Sequence, residues 1–109
     1  MAVTSTQSKV PASVTNIAVG RYLTDATAAA ITITTGFLPR YVRIQNVTSG
    51  DGMEWFEGMA AASAQKQVAA GDKSLITTLG VTASASGFVI GLDTDVNVIN
   101  EQLSWMAIG

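Results

Sequence analysis

The chain has 109 residues with no cysteine and no histidine, which excludes disulfide scaffolds, thiol nucleophiles, thiolate zinc sites and the commonest general base. Only 13% of residues are charged, about half the ~25% usual for soluble domains. The net charge is -2, with six Lys and Arg spread along the chain, so no basic stripe exists to follow a phosphate backbone and no nucleic-acid partner is expected.

The polar exterior must therefore be built mainly from Ser and Thr hydroxyls. Such a balance suits a subunit that buries much of its exterior in an assembly, because charge is depleted at interface cores. A soluble monomer with a Thr- and Ser-rich β surface is the alternative. A chain of this length buries roughly two-thirds of its unfolded surface, enough for one core and one domain.

Residues 1–12 read as a flexible N-terminal arm: Met1 to Ser8 are low in complexity, and Met1 to Pro11 hold one lysine and no apolar run, so no secretory signal is expected. Residues 13–109 read as a single β domain. Val14 to Tyr22 have β character, with Asp25 in the following turn. Ile31-Thr32-Ile33-Thr34 alternates apolar and polar with β-branched residues, the pattern of a half-buried strand, and Gly36 and Pro39 end it.

In Tyr41 to Gln45 the period of two places Val42 and Ile44 inward and Arg43 and Gln45 outward. Ser49-Gly50-Asp51-Gly52 is a strong turn signal, predicting an antiparallel hairpin with Met53 to Glu57. On that second strand Met53 and Trp55 share one face, Glu54 and Phe56 the other. An aromatic on each face implies that neither is wholly solvated.

Gly58 to Ala70 carries Ala60, Ala61, Ala62 and Ala64, whose propensity favours one or two helical turns; a loop of small residues is the other reading. Gly71-Asp72 marks a turn. Leu75-Ile76, Val81-Thr82-Ala83 and Phe88-Val89-Ile90 read as separate short strands. Asp93 to Asn97 is polar and turn-like. Gln102 to Ile108 closes the chain as a strand with Leu103, Trp105 and Ala107 on one face. Some seven short strands at regular turn spacing predict a small antiparallel sandwich, jelly-roll-like domain or barrel. The longest uncharged stretch, Ser74 to Leu92, is broken by Thr, Ser and Gly, so no membrane span is expected.

Candidate chemistry is sparse. Glu54 and Glu57 lie three apart, so on one strand they point to opposite faces. Any catalytic carboxylate pair would have to come from separate loops, and no enzymatic activity is expected. Asp93, Asp95 and Asn97 present oxygens at alternate positions, like the opening of a calcium loop. Val98 then stands where that loop needs Gly, and Ser104 where it needs a bidentate Glu. These three are weak metal candidates, and a turn capped by its own side chains is the plainer reading. No phosphate-binding loop or nucleophile elbow occurs. No cofactor is expected.

Two segments carry a resemblance. ITITTGFLPRYVRIQNVTSGDGMEWFEGMA (Ile31 to Ala60) and SGFVIGLDTDVNVINEQLSWMAIG (Ser86 to Gly109) look like small bacteriophage structural proteins of the capsid decoration, or cement, class. The resemblance implies a β-sandwich or jelly roll that sits as an oligomer, frequently a trimer, on the outer surface of the virion. It would be made in the host bacterial cytoplasm and bound to the major capsid protein. The expected contacts are the arm Ala2 to Val10, with Val3 and Val10, then Tyr41, Arg43 and Phe56, and the Ala60 to Ala70 segment with Gln65. More narrowly, Gly87-Phe88 and Trp105 to Gly109 are similar to the H-type lectin pattern, a six-stranded sandwich reused in phage tail-fibre tips. This second resemblance implies a glycan-binding module by fold analogy alone, with no sugar-ligating residue carried over.

Overall fold

The computed structural model describes residues 16–109. The arm at residues 1–12, with Val3 and Val10, lies outside the described residues. Eight strands follow in chain order: β1 (Ile17–Leu23), β2 (Ile31–Thr34), β3 (Tyr41–Asn46), β4 (Gly52–Phe56), β5 (Ser63–Gln67), β6 (Lys73–Ser84), β7 (Gly87–Ile90) and β8 (Gln102–Ile108). The expected all-β, antiparallel architecture is present. The strands form one hydrogen-bonded sheet in the order β1-β8-β3-β4-β5-β6-β7-β2, and the sheet curls so that its two halves enclose the core. Among the described residues no helix is long and apolar enough to cross a membrane.

The period-two reading holds in detail. Val42 and Ile44 of β3 are fully buried, as are Leu103 and Ala107 of β8, while Met53 and Trp55 of β4 face the same core. From the other half of the sheet Ile31, Val81, Phe88 and Ile90 complete the cluster. The β3–β4 hairpin pairs Tyr41 with Phe56, Arg43 with Glu54 and Ile44 with Met53. Its turn is held by Asn46, whose Oδ1 accepts the N–H groups of Thr48 and Ser49 at 2.9 Å each, and by Gly50 at φ +89°.

Two expectations are corrected. The alanine-rich segment forms no helical turns: Ser63–Gln67 is β5, entered through Ala62 at φ +64°. Helix propensity is a weak prior here, overridden by a ladder on each side of β5 and by Ala64, whose small side chain is fully buried in the core. The reading of Leu75-Ile76 and Val81–Ala83 as separate strands also fails, because both belong to β6. Its register against β5 jumps between Ile76, opposite Ala64, and Val81, opposite Ser63. The extra residues form an irregularity with Leu79 at φ +62°. Gly80 follows because a Cβ there would meet the Ser63 carbonyl oxygen at 2.5 Å.

Candidate contact surface

The strand register assembles the outer face of the sheet row by row. The first row runs Ile17, Ile108, Tyr41, Phe56 across β1, β8, β3 and β4. The second runs Val19, Met106, Arg43, Glu54, Gln65, Leu75 from β1 to β6. The third runs Arg21, Ser104, Gln45, Gly52, Gln67, Lys73. Adjacent partners in a ladder point to the same side, so the face grades from apolar to polar over three rows.

The apolar end is open to solvent. Ile17 is 57% exposed, Val19 71% and Phe56 46%. Tyr41 and Phe56 stack as tilted rings with centroids 5.2 Å apart. Tyr41 donates its hydroxyl proton to Glu54 Oε2, a short hydrogen bond, and Arg43 Nη1 lies 3.9 Å from the same oxygen. Partial burial, then the hydrogen bond and negative charge of Glu54, raise the Tyr41 pKa above its ordinary 10.0, against a smaller lowering by Arg43. The Arg43–Glu54 pair is largely solvated and contributes little by itself. Arg43 and the Tyr41 hydroxyl converge on that one carboxylate. Arg40 pairs similarly with Glu57 at 3.7 Å.

Four of the expected contact residues are thus brought together: Tyr41, Arg43 and Phe56, with Gln65 one strand further on. The polar rows frame a shallow groove of about 230 Å³ lined by Arg43, Gln45, Glu54, Gln65 and Gln67. Gln45 folds over Gly52, where a Cβ would stand 2.8 Å from Gln45 Oε1. Glu54, the acceptor shared by Tyr41 and Arg43, was not singled out as a contact residue from sequence. Its signal was its place opposite Arg43 in the predicted hairpin.

The metal candidates lie elsewhere, in the loop between β7 and β8. Asp93 is buried, and its Oδ2 accepts the N–H groups of Asp95 at 3.0 Å and Val96 at 3.1 Å. Lys66 of β5 reaches into this loop, placing Nζ 3.1 Å from Asp93 Oδ1 and 2.6 Å from Asp95 Oδ2. The cation between the two carboxylates is therefore the Lys66 ammonium. Burial pulls the Lys66 pKa down, but hydrogen bonds and attraction from Asp95 and Asp93 outweigh it, and the net shift is upward. Asn97 turns away from both carboxylates and donates to the carbonyls of Ala29 at 3.0 Å and Gly91 at 3.1 Å. Asp93 thus caps its own loop, Asp95 pairs with Lys66 of β5, and Asn97 ties the loop to Gly91 and to Ala29. Among the described residues no group of three or more carboxylates gathers at one point.

Asn46, which no sequence motif marks, joins this loop to the hairpin. Its fully buried amide donates to the Val96 carbonyl at 3.0 Å and Glu101 Oε1 at 2.9 Å. No protein-family model, curated protein or solved structure matches the chain.

Proposed function

We propose that this chain is a non-enzymatic structural subunit of a bacteriophage particle, a capsid decoration protein whose outer sheet face lies against the major capsid protein on the head shell. The observation that carries the contact role is the row Ile17, Ile108, Tyr41, Phe56, an apolar strip with Ile17 and Phe56 exposed at its ends and Ile108 and Tyr41 half-buried between them. Apolar side chains held on a rigid scaffold give contact energy of about 25 cal/mol per Å² before association costs. The polar rows beside the strip form the hydrogen-bonding rim that stable interfaces carry. The identification with a phage particle rests on the resemblance of residues 31–60 and 86–109.

The mechanism is passive. Many copies bridge neighbouring capsid subunits, and modest contacts multiplied by symmetry resist outward pressure. The chain then works on the outer surface of the virion after synthesis in the host cytoplasm. Purified protein added to shells lacking it should bind to saturation at a fixed stoichiometry. Phe56→Arg should weaken binding at least ~30-fold if Phe56 is an anchor worth about 2 kcal/mol. A chain that fails to cosediment with any such shell is not a decoration protein.

The groove beside Arg43 favours a second reading, a tail-fibre module that binds host-surface glycan. Three glutamine amides, a guanidinium and a carboxylate offer the donors and acceptors a sugar uses. A glycan-array signal abolished by Arg43→Ala, with no shell binding, would favour this reading over the first.

A further inference from the structure

We infer that two copies of this chain pair through β1, antiparallel about a two-fold axis, so that the sheet continues from one molecule into the other. The inference stands on the open edge of the sheet and is independent of the virion reading. Among the described residues β1 has a neighbour on one side only. It is regular over its whole length, with seven consecutive partners on β8 and no bulge. Natural edge strands are usually blunted by lysine, proline, a bulge or shortness. β1 has none of these, and Arg21 is its one charge.

Hydrogen-bond parity shows which backbone groups are open. Thr24 N–H bonds the Glu101 carbonyl at 3.0 Å, and Gly109 N–H bonds the Asn16 carbonyl at 2.8 Å. Even-numbered positions therefore turn toward β8, and Ile17, Val19, Arg21 and Leu23 turn their N–H and C=O groups outward. A strand is the partner that satisfies such a row.

The other edge, β2, is a poor match. Thr35 N–H bonds the Ser86 carbonyl at 2.9 Å, so odd positions face β7 and only Thr32 and Thr34 of this four-residue strand face outward. A head-to-tail ring joining β1 to β2, the route to a three-fold assembly through edges, would leave half of the open groups of β1 unpaired. Pairing β1 with its own copy uses all of them.

Charge then selects the register. With Ile17 opposite Leu23 and Val19 opposite Arg21 of the second copy, all four outward residues pair and make about eight backbone hydrogen bonds. Ile17 and Leu23, 57% and 71% exposed, cover each other at both ends. Shifting two residues one way sets Arg21 against Arg21 of the other copy. Shifting the other way drops a pair.

Sedimentation velocity on the full chain tests this. A dimer of twice 11.3 kDa is expected, with dissociation at least tenfold easier in Val19→Pro and in Val19→Lys. The Val19 N–H faces away from β8, so proline there leaves the molecule's own ladder intact, and circular dichroism should be unchanged. The lysine variant keeps the backbone wholly native should proline disturb folding. The register is read by disulfide formation: the chain has no cysteine of its own, so a mixture of Ile17→Cys and Leu23→Cys should cross-link, while Arg21→Cys alone should not. A monomer, a trimer, a dimer unaffected by Val19→Lys, or a dimer lacking the 17–23 cross-link overturns the inference.

Discussion

The rings of Phe88 and Trp105 meet edge to face, with centroids 5.5 Å apart and planes at 75°, although β3, β4, β5 and β6 lie between their strands in the sheet. This contact ties one end of the sheet to the other and makes the curl a core. Trp105 reaches it by lying over Gly20 of β1, where a Cβ would stand 2.5 Å from the indole.

Gly20→Ala should therefore destabilise by about 1–3 kcal/mol through overpacking, and Phe88→Ala by about 3–5 kcal/mol through the cavity left at a fully buried site. Denaturant unfolding measures both. If Gly20→Ala costs much less in a Trp105→Ala background than in the native chain, the two positions are coupled as the packing requires.

Asn46→Ala should cost about 3 kcal/mol, because it strands the Val96 carbonyl and frees the N–H groups of Thr48 and Ser49. Hydrogen exchange should rise both in the β3–β4 turn and in the loop that ends at Glu101, 55 residues away in sequence. Exchange confined to the turn would show that the loop stands without the amide.

Lys66→Met leaves Asp93 buried without its cation and should destabilise by about 3 kcal/mol. Asp95 is half exposed and adds little. Adding Asp93→Asn should recover part of the loss, since the amide oxygen still accepts from Asp95 and Val96. The folded-state pKa of Lys66 is raised, so its contribution is complete below the unfolded value near 10.5 and is lost as pH climbs through the folded value. The fall in stability above about pH 10.5 should be shallower in Lys66→Met, measured on a Tyr41→Phe background to remove the phenol that titrates in the same range.

Tyr41 gives an optical check on the outer face. In a Tyr22→Phe chain its phenolate absorbance should appear with a midpoint above 10.0. Glu54→Gln should lower that midpoint, by removing the charge that opposes ionisation. A midpoint unmoved by Glu54→Gln would mean that the hydrogen bond does not persist in solution.

Elements governed by local pattern were legible in the sequence. Ile31–Thr34, the Tyr41–Phe56 hairpin and Gln102–Ile108 follow from alternation and turn residues, and so does the grouping of Tyr41, Arg43 and Phe56 on one face. Features that depend on distant pairing were not. Nothing in the alanines of 60–64 announces that β4 and β6 will flank them, and Leu79 at positive φ breaks a local rule that only the β5–β6 register explains. The oxygens of the Asp93 loop made it a weak metal candidate, and no local pattern shows that Lys66, 27 residues earlier, reaches them.

If the chain is a decoration protein, as proposed, the apolar strip of the outer face is buried against the shell. A reconstruction of the decorated phage head by electron cryomicroscopy tests it most directly. Density of the capsid protein against Ile17, Tyr41, Phe56 and Ile108 is expected; this sheet found with that row facing solvent would contradict the proposed role.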